Sequence, residues 1–196
     1  MKKLILMAAM VLASAATYAQ HAVGTMTFQP KVGVNIADLT EADGSDVRIG
    51  LAAGVEGEYQ ASDIFSISAG LIYSMQGCKG DIAGVDGTLK LDYINIPILA
   101  NVYVVKGLAV KLGIQPGFNV NDKIKLSSGS SSVETSFKEA GLEVNSFDFS
   151  IPVGMSYEFN NVVLDARYNW GVTKVFEGSD SKNSVFQITL GYKFEL

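Results

Sequence analysis

The chain ends in NSVFQITLGYKFEL, where every second position from Phe186 is large and apolar: Phe186, Ile188, Leu190, Tyr192, Phe194 and Leu196. The positions between carry Gln187, Thr189, Gly191, Lys193 and Glu195. A period of two describes a β-strand with one apolar and one polar face. The same alternation, bounded by turn residues, predicts eight strands near 27–36, 48–60, 64–76, 88–104, 108–118, 146–159, 162–172 and 184–196. Connections 61–63, 105–107 and 160–161 are short, whereas 37–47, 77–87, 119–145 and 173–183 are longer and polar. An even, antiparallel up-and-down meander trimmed at one end and elaborated at the other has the form of an all-β, eight-stranded transmembrane barrel with short periplasmic turns and long extracellular loops.

A soluble, lipocalin-like ligand-binding barrel alternates as well, with its bulk inside. The polar phase here argues for the opposite arrangement. It holds Gly33, Gly50, Gly54, Gly70, Gly113, Gly117, Gly154, Gly171 and Gly191 with Ser66, Ser68, Ser74, Ser150 and Ser156, and Gly57 is the exception on the other phase. The interior of an eight-stranded barrel is only just wide enough for side chains to fill it, so small residues belong there. Aromatics of the large phase gather at strand ends. Phe28, Tyr59, Phe65, Tyr157, Phe159, Tyr192 and Phe194 lie toward the short turns, and Tyr73, Phe118, Phe147, Trp170 and Phe186 toward the long loops. Two girdles around an aliphatic band predict a lipid-facing exterior.

The fourth strand departs from this order. Leu89, Leu91 and Tyr93 alternate, then Ile94, Ile96, Ile98, Ala100 and Val102 take the other parity. Either a β-bulge near Asp92–Ile94 shifts the phase, or residues 88–92 rise above the membrane as part of a hairpin extension.

Export is predicted by MKKLILMAAMVLASAATYAQ, with Lys2 and Lys3, an apolar run from Leu4 to Ala13 and a small-x-small site ending at Ala19. Residues 1–19 are thus expected to be a cleaved signal peptide and 20–196 the barrel domain. Loss of the two lysines takes the formal charge from −5 to −7. An acidic exported chain lacks the basic face that nucleic acid requires, and the single Cys78 precludes an internal disulfide framework.

Candidate chemistry is sparse. The only histidine, His21, falls in the segment before the first strand, where a frayed terminus would give a general base no fixed geometry. One His and one Cys also speak against an N/S-ligated metal, so neither a catalytic residue nor a cofactor is expected. The polar-phase charges Lys31, Glu56, Glu58, Lys111, Asp165, Arg167 and Lys193 all map to the half near the short turns. Mixed signs at one depth suggest a salt-bridge network filling the bore, since buried charges must be paired; the competing reading is an ion or proton path. Loop 41–46, EADGSD, has part of a calcium loop but lacks its full spacing and terminal Glu. The Ser-rich loop 119–145 is expected to be exposed and mobile, with Cys78 an incidental thiol near a loop.

PKVGVNIADL, YINIPILANVYV, RYNWGVTKV and the late GYKF resemble, in that order, four strands of the PorT-like and OmpX-like outer-membrane β-barrel family common in Bacteroidetes. The resemblance covers roughly 28–196 and implies an eight-stranded barrel in the outer membrane of a Gram-negative bacterium. It also implies handling by the barrel-assembly machinery, with Phe194 followed by Glu195 and Leu196 in place of a terminal aromatic. A structural or surface-interaction protein acting through its loops is expected. The alternative that the family offers is an accessory component of a secretion or envelope machine.

Overall fold

The computed structural model describes residues 21–196 apart from 43, 83–84, 129–130, 140 and 142, so the expected signal peptide lies outside the described residues. The described residues form eleven strands: β1 (Met26–Leu39), β2 (Ser45–Ser62), β3 (Phe65–Ile82), β4 (Val85–Asn95), β5 (Ile98–Val105), β6 (Leu108–Ser128), β7 (Ser131–Ser136), β8 (Phe147–Phe159), β9 (Val162–Gly171), β10 (Asn183–Tyr192) and β11 (Phe194–Glu195). They make eight walls. β4 and β5 form one wall, β10 and β11 another, and β7 folds back on the distal part of β6. All pairings are antiparallel, and β1 pairs with β10 from Lys31↔Gly191 to Leu39↔Asn183, which closes the cylinder. Closure leaves no edge, the condition for β-structure in a solvent that offers no hydrogen bonds.

The break between β4 and β5 falls at Ile96–Pro97, where proline has no N–H for the ladder. Its carbonyl still accepts from Gly70 N at 3.0 Å, and Ile96 N donates to Pro116 O at 2.8 Å, so the wall bends without opening.

Three expectations change. First, three of the four long polar connections are largely strand: β2 begins at Ser45, β3 runs to Ile82, and β6 with β7 pairs Lys123↔Ser136 through Ser128↔Ser131 across the Ser-rich stretch. Only the β9–β10 connection remains irregular over most of its expected length. Second, the fourth wall has no phase slip. Leu91, Tyr93, Asn95, Leu99, Asn101 and Tyr103 are all buried inside, and Ile94, Ile96, Ile98, Ala100 and Val102 keep to the outer parity. The irregularity belongs to β6, where Asp92↔Asn121 is followed by Tyr93↔Asn119 and Val120 is the extra residue. The medium around the strand inverts while its parity continues, as the hairpin-extension reading holds. Third, His21 is not in a loose tail. Gly24 N donates to Gln60 O at 2.8 Å and Gln60 N to Thr25 O at 3.0 Å, zipping the segment after it onto β2.

Candidate functional site: the bore and its two mouths

The wall is inside-out over its membrane-sized middle. Val32, Val34, Leu51, Leu71, Val110, Leu112, Ile114, Val153, Met155, Leu164 and Leu190 are exposed, while Gln29, Lys31, Asn35, Glu56, Ser68, Lys111, Asp165, Arg167, Gln187 and Thr189 are buried. Of the expected girdle residues, Phe28, Tyr59, Tyr157, Phe159, Tyr192 and Phe194 are exposed at the short-turn end, where Phe65 is half-buried. Phe118, Phe147, Trp170 and Phe186 are exposed at the other end, with Tyr73 half-buried; Tyr168 adds an exposed aromatic that the sequence reading did not include.

Five of the seven inward charges meet in one cluster. Lys31 Nζ lies 2.7 Å from Glu56 Oε2 and 3.8 Å from Asp165 Oδ2; Lys111 Nζ lies 2.8 Å from Asp165 and 3.3 Å from Glu56. Arg167 grips Asp165 with two bonds, Nε–Oδ1 at 2.8 Å and Nη2–Oδ2 at 2.7 Å, and reaches Glu56 at 3.2 Å. Each carboxylate therefore faces three cations, and none of these side chains is more than 4% exposed. Glycine makes the room: at Gly154 a Cβ would sit 2.4 Å from Ala166 O and 2.7 Å from Arg167 Cβ.

The other two charges form a separate layer at the short-turn mouth. Lys193 Nζ lies 2.8 Å from Glu58 and 2.9 Å from Glu158. Ser66 and Tyr103 donate to Glu58, and His21 Nε2 lies 3.1 Å from Glu158 Oε1. Sequence reasoning missed Glu158, Tyr103 and His21 here. Glu158 follows Ser156 on the inner phase of its strand and was legible; Tyr103 was hidden by the apparent phase slip, and no pattern places His21.

Above the five-ion cluster the filling is mostly amides and hydroxyls, with one buried carboxylate, Asp148, that accepts from Asn183 Nδ2 at 3.0 Å and Thr173 Oγ1 at 3.2 Å. Gln187 Nε2 donates to Asn35 Oδ1 at 2.8 Å, Asn35 Nδ2 to Ser74 Oγ at 2.9 Å, and Gln115 Nε2 to Ser150 Oγ at 3.1 Å. At the far mouth the interior is apolar: Leu39, Cys78, Leu91, Tyr93, Ile124, Phe137 and Val175 pack together, with Phe137 and Phe176 ring centroids 5.5 Å apart. Burial, helped by Asp38, pushes the Cys78 thiol up to about 11, so this cysteine is a core residue rather than a loop thiol. In the acidic segment, Asp46 pairs in register with Lys79 and Ser45 Oγ donates to Asp38 at 2.8 Å. Asp43 lies outside the described residues, and among those described no three His, Cys, Asp or Glu side chains form a metal-sized group.

A family model described as "Outer membrane protein beta-barrel domain" matches residues 18–177. The chain belongs to that family. This outer membrane β-barrel protein resides in the outer membrane of a Gram-negative bacterium. Its fold is shared with Ail of Yersinia pestis (17% identity over 88% of this chain and 99% of that one, TM-score 0.50). It is shared equally with OprG of Pseudomonas aeruginosa (14%, 90% and 99%, 0.52) and the Neisserial surface protein A (16%, 86% and 97%, 0.50). No curated protein matches the chain.

Proposed function

We propose that this barrel is a non-enzymatic, non-conducting wall protein, exported after removal of residues 1–19, that acts structurally or as a surface-interaction protein through its long-hairpin end, which faces the cell exterior. The observation that carries this reading is the stacking of fillings along one narrow bore. Two ionic layers occupy the short-turn half, and the apolar cluster around Leu91, Tyr93 and Phe137 packs at the opposite mouth. An ion path needs hydrated space, whereas here the charges neutralise one another: Lys31, Lys111, Arg167 and Lys193 against Glu56, Glu58, Glu158 and Asp165. The bore of an eight-stranded wall leaves little beyond what side chains occupy.

Single-channel recording from the purified protein in planar bilayers tests this reading. No conductance steps above the lipid baseline are expected, and reproducible open-channel steps would overturn it. Pulldown from native membranes separates a freestanding wall protein from an accessory subunit of a secretion machine of the PorT-like kind. The first yields lipid and sub-stoichiometric assembly machinery, the second a stoichiometric companion.

A further inference from the structure

Above the long-hairpin girdle, the outer face of β3, β4, β6 and β7 changes chemistry rung by rung. The last apolar rung pairs Ile94 with Phe118. The next pairs Asp92 with Asn121, and the Asp92 carboxylate is consumed locally by Tyr73 Oη at 2.9 Å, Asn121 Nδ2 at 2.8 Å and the Arg48 guanidinium at 3.4 Å. Then come two basic rungs. Lys90 pairs with Lys123, and Lys79 flanks Thr88, which pairs with Lys125. Their inward neighbours Cys78, Leu89, Leu91, Ile124 and Leu126 belong to the apolar cluster, so strand alternation turns all four lysines outward.

Among the described residues two carboxylates share these rungs: Asp46, in register with Lys79, and Glu134, which accepts from Lys90. Two more stand at the margin: Asp86, paired with Ser127 one outward rung beyond, and Glu139, which accepts from the backbone N–H of Ser136 opposite Lys123. Glu134 is exposed, pairs in register with Lys125 and accepts from Lys90; the Lys90 hydrogen bond first, then Lys123 and Lys125, hold its carboxyl below its ordinary range. Like charges on adjacent strands repel, so such a cluster has no value to the hairpin itself. The surplus is local: across the barrel, beyond β9, Lys174 is matched by Asp180 at 2.6 Å. Four residues separate Ile94 from Lys90, about 13 Å along the strand and less along the membrane normal for a tilted one, the depth at which lipid headgroups begin. Lysines at a membrane surface attract anionic headgroups, each worth about a fivefold change in affinity.

We propose that this face is a docking surface for the phosphate groups of lipid headgroups in the adjoining leaflet, held by Lys90, Lys123 and Lys125 with Lys79 at the margin. The occupant is a lipid, because the basic rungs continue without interruption from the apolar wall, so that one molecule can lay its chains against Phe118 and Val120 and its phosphate against Lys123.

The test uses the full exported chain in phosphatidylcholine nanodiscs doped with diphosphoryl lipid A, with co-extracted lipid A counted by native mass spectrometry. Lys90→Gln/Lys123→Gln/Lys125→Gln should retain at least about tenfold less lipid A, while the Lys→Arg triple retains it. Lys106→Gln/Lys138→Gln/Lys174→Gln, elsewhere on the surface, should match the parent. Equal retention by the Gln triple, or equal retention of lipid A stripped of its phosphates, overturns the proposal. Displacement by millimolar inorganic phosphate also overturns it, because the site would then be one for free anions. If the Gln triple fails to show the heat-modifiable mobility of a folded barrel, Lys123→Gln alone is read against Lys123→Arg by the same count, and an equal count overturns the proposal.

Discussion

The two halves of this cylinder solve opposite problems with one continuous set of strands. Between the girdles the outside is hydrocarbon and the inside is ionic; beyond Tyr73 and Phe118 the outside carries lysines and the inside is a small apolar core. β4 passes from one regime to the other without changing parity, with Tyr93 above and Asn95 below on the same inner face. Inward and outward are therefore geometric facts, while polarity is assigned by whatever lies on each side. In lipid, burying apolar side chains away from the surroundings gains nothing, so the bore can be given to paired charges. In water the same bore must supply a hydrophobic core.

That contrast can be broken at chosen points. The largest effect is expected in the ionic layer. Arg167→Ala leaves Asp165 and Glu56 with lysines alone, and losing one partner of a buried network costs about 3–5 kcal/mol. A fall in the temperature at which the band shifts on heat-modifiability gels checks it; an unchanged temperature would mean that the cluster does not hold the wall. Next, Leu91→Ala should cost about 2–5 kcal/mol as a core cavity, but confined to the hairpins. Protease cutting near the β6–β7 turn should accelerate while the heat-modified shift stays in place. Third comes a matched pair on the outer face. Val153→Arg, in the lipid band, should cost about 2–4 kcal/mol, whereas Ser132→Arg, exposed on β7 and paired with Ser127, should stay within about 0.5 kcal/mol; urea titrations in lipid vesicles compare them. The smallest effect concerns pH. Burial raises the Cys78 thiol from 9.0 to about 11, so its contribution to the hairpin core is whole below pH 9 and is lost as pH climbs toward 11. Maleimide labelling of Cys78 should be slow at pH 8 in the folded protein and fast once urea opens it.

The same contrast explains what the sequence disclosed. The lipid half was legible because two constraints act on alternate residues: large and apolar outside, small or charged inside. Gly113, Gly154 and Gly191 on one phase and Leu112, Val153 and Leu190 on the other can be read straight off the chain. The hairpin half was mistaken for loops because its outward residues are ordinary surface polars, and Leu89, Leu91 and Tyr93 looked like a phase error when only the surroundings had changed. Within the bore, the seven charges were recognised from phase alone, but their division into a five-ion cluster and a separate Lys193–Glu58–Glu158 layer depends on stagger between walls. Pattern along one strand carries no information about that stagger.

The wiring of the ion cluster also bears on how such a wall could be built. Lys31 and Glu56 sit on the successive strands β1 and β2, and Asp165 and Arg167 lie two residues apart on β9. Most of the charge is thus cancelled by a near neighbour in the chain, so strands handed over in pairs would cross the oily layer almost neutral. Lys111 on β6 is the exception: its mates Glu56 and Asp165 come from β2 and β9, so it finds counterions only when distant walls meet.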